Sequence, residues 1–248
     1  MRRISTVLFD LGNTLFHFDH AFAAAVITRH GRAVSAADVA TAEYHGKRAI
    51  DAQMRARRTG TDATRHQPYV EAILDGLGVP PAAWPHIAAE LRDENTRNSL
   101  WRVVHADTPA VLAALRQRGF RLGVVSNADG RVPAALAERG LAQHFSAIID
   151  SHIVGVEKPD PRIFHLALDA CGATPAEAMF VGDIYEIDVI GARNAGLTPL
   201  LIDPLGLYEA VDCERIDGLG RLLELLPDRA RSDDECSTRR RRDAERSE

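Results

Sequence analysis

The sequence predicts an α/β fold, a doubly wound parallel sheet with an all-helical insertion, and three observations point to it. Short apolar runs flanked by Gly, Pro or acidic residues recur at Thr6 to Phe9, Leu122 to Val125, Ala147 to Ile149 and Ala178 to Val181, with a further one at Leu197 to Ile202. Helical patterns fall between them, at Pro109 to Arg118, Val132 to Arg139 and Pro161 to Cys171. Buried strands alternating with helices imply parallel strands joined by crossovers. Residues 18–100 differ in kind: they are rich in Ala, Arg and His, with little β-branched clustering.

In chain order, the first strand ends at Phe9 and is followed by Asp10-Leu11-Gly12-Asn13-Thr14, a loop sequence leaving the sheet. The helical insertion of residues 18–100 comes next, and the strand and helix alternation resumes near Arg121. The expected division is therefore a Rossmann-like core of residues 1–17 and 101–227, with the insertion standing as a cap over the strand ends. Residues 228–248 carry Ser-Asp-Asp-Glu and four consecutive arginines, Arg239 to Arg242, without apolar periodicity, and read as a solvated, disordered tail.

The composition sets the class of partner. Of 248 residues, 46% are hydrophobic and 26% charged, with a net charge of -5, so nothing general attracts nucleic acid or an anionic membrane. No uninterrupted apolar stretch of about 18 residues suggests a membrane span. The apolar run after Met1 is too short for an export signal. Cys171, Cys213 and Cys236 show no paired spacing, which fits a reducing cytoplasm. The sequence carries no signal for oligomeric state.

Four motifs carry chemistry. Asp10 places a carboxylate at the carboxyl end of a strand, where open parallel sheets hold ligands. Ser126 and Asn127, after Gly123-Val124-Val125, offer a hydroxyl and an amide that can hydrogen-bond a phosphoryl oxygen. Lys158, between Glu157 and Pro159, is a cation held by prolines before a helix; such a cation can neutralise a carboxylate and a transferring phosphoryl group. Gly182-Asp183 ends another strand, and Asp188 follows five residues later. Few carboxylates, with water and substrate phosphate completing the shell, suit a hard cation such as Mg²⁺.

In this order and at these separations, the four motifs resemble those of the haloacid dehalogenase superfamily, in its phosphatase-like branch with a helical C1-type cap. The resemblance covers about residues 4 to 205. It implies a hydrolase in which Asp10 attacks phosphorus to form an aspartyl-phosphate, with Lys158 as the second catalytic residue. It further implies that Thr14, Ser126, Asn127 and Lys158 bind the phosphoryl group. Mg²⁺ would be held by Asp10, the Gly12 backbone carbonyl, Asp183 and Asp188.

One position departs from the pattern. The family's phosphatases carry a second aspartate two residues after the nucleophile, as acid and base for the leaving group, and here that position is Gly12. Three readings stay open. A phosphohydrolase acting on a small phosphorylated metabolite would use a better leaving group, or His17 or Asp19 in place of the missing acid. A 2-haloacid dehalogenase needs no proton for its halide, but would have no use for Asp183 and Asp188 as metal ligands. A non-catalytic phosphate-binding or regulatory protein would keep the pocket without turnover.

Overall fold

The computed structural model describes residues 4–56, 61–208 and 211–228. The expected tail, apart from Asp228, lies outside them. In chain order the elements are β1 (Thr6–Phe9), β2 (His17–Phe18), α1 (His20–Arg29), α2 (Ala36–Arg55), α3 (Asp62–Gly76), α4 (Trp84–Asn98), β3 (Trp101–Val103), α5 (Thr108–Gln117) and β4 (Arg121–Ser126). There follow α6 (Val132–Glu138), β5 (Ala147–Asp150), α7 (Ser151–Val154), α8 (Pro161–Cys171), β6 (Ala178–Gly182), α9 (Ile190–Asn194), β7 (Thr198–Ile202), β8 (Glu214–Ile216) and α10 (Leu222–Leu225).

Six strands form one parallel sheet in the order β5-β4-β1-β6-β7-β8. The chain runs outward from β1 through β4 to β5, then crosses to β6 on the other side of β1 and runs outward through β7 to β8, so the winding reverses between β1 and β6, and ligands bind at such a reversal. The apolar runs are continuous because both faces of the sheet are covered. Val7 and Phe9 join the core beneath α5, α6 and α10, whereas Leu8 joins the one beneath α8. The same alternation separates Leu122 and Val124 from Val125, and Met179 and Val181 from Phe180. Gly123 leaves room for a close approach there: a Cβ would stand 2.8 Å from Leu8 Cδ2, and the leucine would have to shift.

Helices α1 to α4 are inserted in the chain between β1 and β4 and build a separate apolar core, in which Val26, Ile27, Val39, Leu74, Ile87 and Leu100 are almost fully buried. Helix α2 starts at a capping box, with Ser35 and Asp38 each accepting the other's backbone N–H. The sequence pattern did not reveal the antiparallel ribbon of β2 and β3, which pairs Phe18 with Trp101 at the base of the insertion. Nor did it show β8, where three residues pair at the sheet edge. Both are too short to produce a readable alternation. Among the described residues no helix is long and apolar enough to cross a membrane.

Candidate active site and metal centre

Parallel pairing sets Phe9 beside Val124 on one flank and Val181 on the other, so the residues leaving β1, β4 and β6 emerge at one edge. Asp10 is fastened there by its backbone N–H, which donates to Val181 O at 2.8 Å. Ser126 ends β4 and is buried, as is Thr14 in the loop after β1. Lys158 enters from the loop before α8 and donates to Asp10 Oδ1 at 2.5 Å and to Asp188 Oδ1 at 2.8 Å.

The loop carrying Lys158 is aimed by Asn127. Its Oδ1 accepts the Lys158 N–H at 2.7 Å, and its Nδ2 donates to Lys158 O at 3.0 Å. Both ends of this amide are thus engaged with the Lys158 backbone, which makes Asn127 a clamp for the cation. Asp188 is returned to the site by a π-helical turn, Tyr185–Val189. Its Oδ2 accepts the N–H groups of Asp183 at 3.0 Å and Ile184 at 2.9 Å. That turn explains the glycine of Gly182-Asp183: a Cβ at Gly182 would lie 2.4 Å from Asp188 Cγ.

Asp10, Asp183 and Asp188 each offer an oxygen, and these oxygens lie within 4.8 Å of one another. Burial, followed by the charges of Asp188 and Asp183, pushes Asp10 up to about 8 against the pull of Lys158. Burial likewise lifts Asp183 to about 6, although Lys47 opposes it. Lys158 is held above its ordinary value: burial disfavours the ammonium, but Asp10 and Asp188 outweigh it. Two buried oxygens at this edge accept no hydrogen bond, Thr14 Oγ1 and Asp183 Oδ2. Asp183 Oδ2 instead faces the ammonium of Lys47 at 3.0 Å.

The profile of the haloacid dehalogenase-like hydrolases matches residues 4–196. The chain belongs to that family. It is similar to the haloacid dehalogenase-like hydrolase domain-containing protein 3 of Bos taurus, with 31% identity over 207 residues, 81% of this chain and 82% of that one. A ribulose-1,5-bisphosphate 5-phosphatase of Halopiger xanaduensis shares 30% over 244 residues, 90% of this chain and 99% of that one. Among solved structures, a phosphatase of the superfamily from Thermococcus onnurineus superposes with a TM-score of 0.56 at 24% identity, covering 91% of this chain and 99% of that one. That last likeness shows the fold.

For a haloacid dehalogenase-like hydrolase, the departure at Gly12 has a steric counterpart. The direction a Cβ would take is covered by the indole of Trp101, with Cδ1 at 3.3 Å and Nε1 at 3.5 Å. The two residues considered as replacement acids are placed otherwise. Asp19 caps α1 by accepting the Phe22 N–H at 2.9 Å and pairs with Arg102 at 2.9 Å. His17 stacks on His105 with ring centroids 3.9 Å apart. Burial, with the repulsion of His105 next, lowers its pKa to about 4.

The sequence reading missed the contribution of α2. Glu43, buried, accepts from Asn13 Nδ2 at 2.6 Å and from the Tyr69 hydroxyl, and meets His20 Nε2 at 2.7 Å. Burial disfavours its charge, yet the contacts with His20, Lys47 and Tyr69 together keep its pKa low. Asn13 itself is held at φ 55°, with its Oδ1 accepting the Phe18 N–H at 3.1 Å. A cavity of about 340 Å³ adjoins these groups, lined among others by His17, His20, Glu43, Tyr44, Lys47 and His105. Of the arginines on α2, Arg48 is exposed and Arg55 pairs with Glu186.

Proposed function

We propose that this chain is a Mg²⁺-dependent phosphohydrolase acting on a small phosphorylated metabolite, with Asp10 as the covalent nucleophile and residues 18–100 as a cap over the site. The observation that carries this is the buried triad of Asp10, Asp183 and Asp188, bridged on one side by Lys158. Three clustered carboxylates serve no purpose in expelling halide. Relatives named as phosphatases support the same reading.

The residues present fit a divalent cation. With Glu43 included, four buried carboxylates face two buried ammonium groups, Lys47 and Lys158, an excess of two negative charges when all are ionised. Asp183 Oδ2 has the Lys47 ammonium at 3.0 Å as its partner. The ion would be held by Asp10, Asp183, Asp188 and the Gly12 carbonyl, all oxygen donors, and when bound it offsets the repulsion between nucleophile and phosphoryl group.

The chain's own groups supply the rest. Asp10 presents an oxygen to phosphorus, and the P–O bond to the leaving group breaks as the Asp10 O–P bond forms. Lys158, fixed by Asn127, stabilises both the nucleophile and the phosphoryl oxygens. Ser126 and the unpartnered Thr14 hydroxyl complete the phosphoryl cradle. Helix α2 and Trp101 exclude water during this step. Water then attacks phosphorus, releasing phosphate and restoring Asp10. With Gly12 unable to protonate the leaving oxygen, substrates with stabilised leaving groups are favoured.

The test uses leaving groups that need no acid. Phosphate release from p-nitrophenyl phosphate and acetyl phosphate is expected with Mg²⁺ and not with EDTA, and Asp10→Asn reduces it to background while keeping the wild-type circular dichroism. Undiminished release in Asp10→Asn refutes the nucleophile. No release from either compound refutes the phosphohydrolase.

A further inference from the structure

Helix α2 carries Glu43, Lys47, Asp51 and Arg55 at successive i, i+4 positions, and each contacts a loop of the sheet core. Glu43 takes the Asn13 amide at 2.6 Å, Lys47 faces Asp183 at 3.0 Å, Asp51 accepts the Glu186 N–H at 2.8 Å and Arg55 pairs with Glu186 at 2.6 Å. The first three are buried. Residues four apart lie on one helix face, so a single face of α2 grips the loop after Asp10 and the loop after β6 together.

We propose that Lys47 is a built-in competitor for the metal, holding Asp183 until a divalent cation arrives and then passing to the oxygens of the bound phosphoryl group. The inference rests on the metal reading given above. Lys47 is 3% exposed, and its ammonium pairs with Asp183 Oδ2 at 3.0 Å. A cation using that oxygen sits against the ammonium, and two positive charges cannot share one carboxylate oxygen at low cost in a buried site. Lys47 therefore gives up Asp183 when the metal binds.

The released ammonium needs another anion, because an unpaired buried charge is strongly destabilising. Glu43, one turn away, already offsets part of the Lys47 charge and is shared with Asn13, Tyr69 and His20. Lys47 borders a cavity of about 340 Å³, which gives its side chain room to move, and the phosphoryl group on Asp10 supplies the oxygens it turns to. Metal and phosphate then bind as a coupled pair: each makes the other's place favourable through one lysine.

The experiment is calorimetric titration of Mg²⁺ into the full chain, without and with inorganic phosphate. Lys47→Met is expected to bind Mg²⁺ alone about tenfold more tightly than wild type, and to lose most of the tightening that phosphate gives the wild type. Lys47→Arg, which keeps the competing charge, is expected to follow the wild type. Equal or weaker Mg²⁺ binding in a folded Lys47→Met, or unchanged coupling to phosphate, overturns the proposal. Absence of Mg²⁺ binding in every form refutes the metal reading itself and this inference with it.

Should Lys47→Met fail to fold, hydrogen exchange of the wild type decides. Mg²⁺ alone is expected to raise exchange in residues 43–55, and added phosphate to reverse it. No change with Mg²⁺ overturns the competition.

Discussion

At the scale of single residues, Gly12 and Trp101 act as a pair. A side chain at position 12 points at the indole, whose Cδ1 would be 3.3 Å from the new Cβ, so the ring must shift by a few tenths of an ångström. Gly12→Asp alone is therefore expected to lower the melting temperature without raising turnover of alkyl phosphates. In a Trp101→Ala background the space opens, and adding Gly12→Asp is expected to raise that turnover at least about tenfold, toward the lower end of what a general acid contributes. Equal rates for Trp101→Ala with and without the aspartate would sink this account. His17 gives a second test. Its folded pKa of about 4 lies below the ordinary 6.5, so the unfolded chain takes up the proton first. Stability from this group is complete above about pH 6.5 and is lost as pH falls from there toward 4. His17→Gln removes the loss: its melting temperature relative to wild type is expected to be higher at about pH 5 than at about pH 7.5. A difference independent of pH would show that His17 does not resist protonation.

At the scale of elements, α2 carries the insertion's grip on the sheet, and Glu43 gathers Asn13, Tyr69 and His20 on it. Glu43→Ala leaves the buried Asn13 amide and Tyr69 hydroxyl without their acceptor, and Lys47 without one of its neutralising charges. The expected cost is about 3 to 5 kcal/mol, as for breaking other buried charged contacts, measured by urea unfolding. A loss below about 1 kcal/mol would mean that these groups find water or other partners. This element also shows where the sequence ceased to be legible. Asp10, Ser126, Lys158 and Asp183 could be read because each sits at the end of a strand or beside a proline, features set by neighbouring residues. The strands could be read because both sheet faces are buried, leaving unbroken apolar runs. Glu43, Lys47 and Asp51 could not be read as site residues, because charges at i, i+4 on a helix look the same whether they face water or a buried cluster. The visible signal was their regular spacing of four. Trp101 follows directly on the helical insertion in the sequence, and only the pairing of β2 with β3 places it over Gly12.

At the scale of the whole molecule, the helical insertion and the sheet each have their own apolar core, joined by polar contacts of considerable reach. The Tyr44 hydroxyl donates to Asp203 at 2.8 Å, Arg65 pairs with Glu157 at 2.9 Å, and Lys47 with Asp183 at 3.0 Å. Tyr44 also packs with Val189, Leu201 and Tyr208 in a small apolar cluster at the junction. These contacts couple the unfolding of the two cores, so one thermal transition is expected rather than two. When all are ionised, the four buried carboxylates against two ammonium groups strain that single transition, and a divalent cation relieves it. Binding to the folded state alone stabilises by about 2.7 kcal/mol at a hundredfold excess over Kd. For a chain of this size that corresponds to a rise of roughly 5 to 10 °C in Tm. Calorimetric scans with saturating Mg²⁺ and with EDTA are expected to differ by that amount, in one peak each. Asp183→Asn, which removes one negative charge and one oxygen donor, is expected to lose most of the difference. Two resolved peaks would show that the contacts along α2 are too weak to unite the cores, and a Tm indifferent to Mg²⁺ would show that the carboxylates are already neutralised by protons.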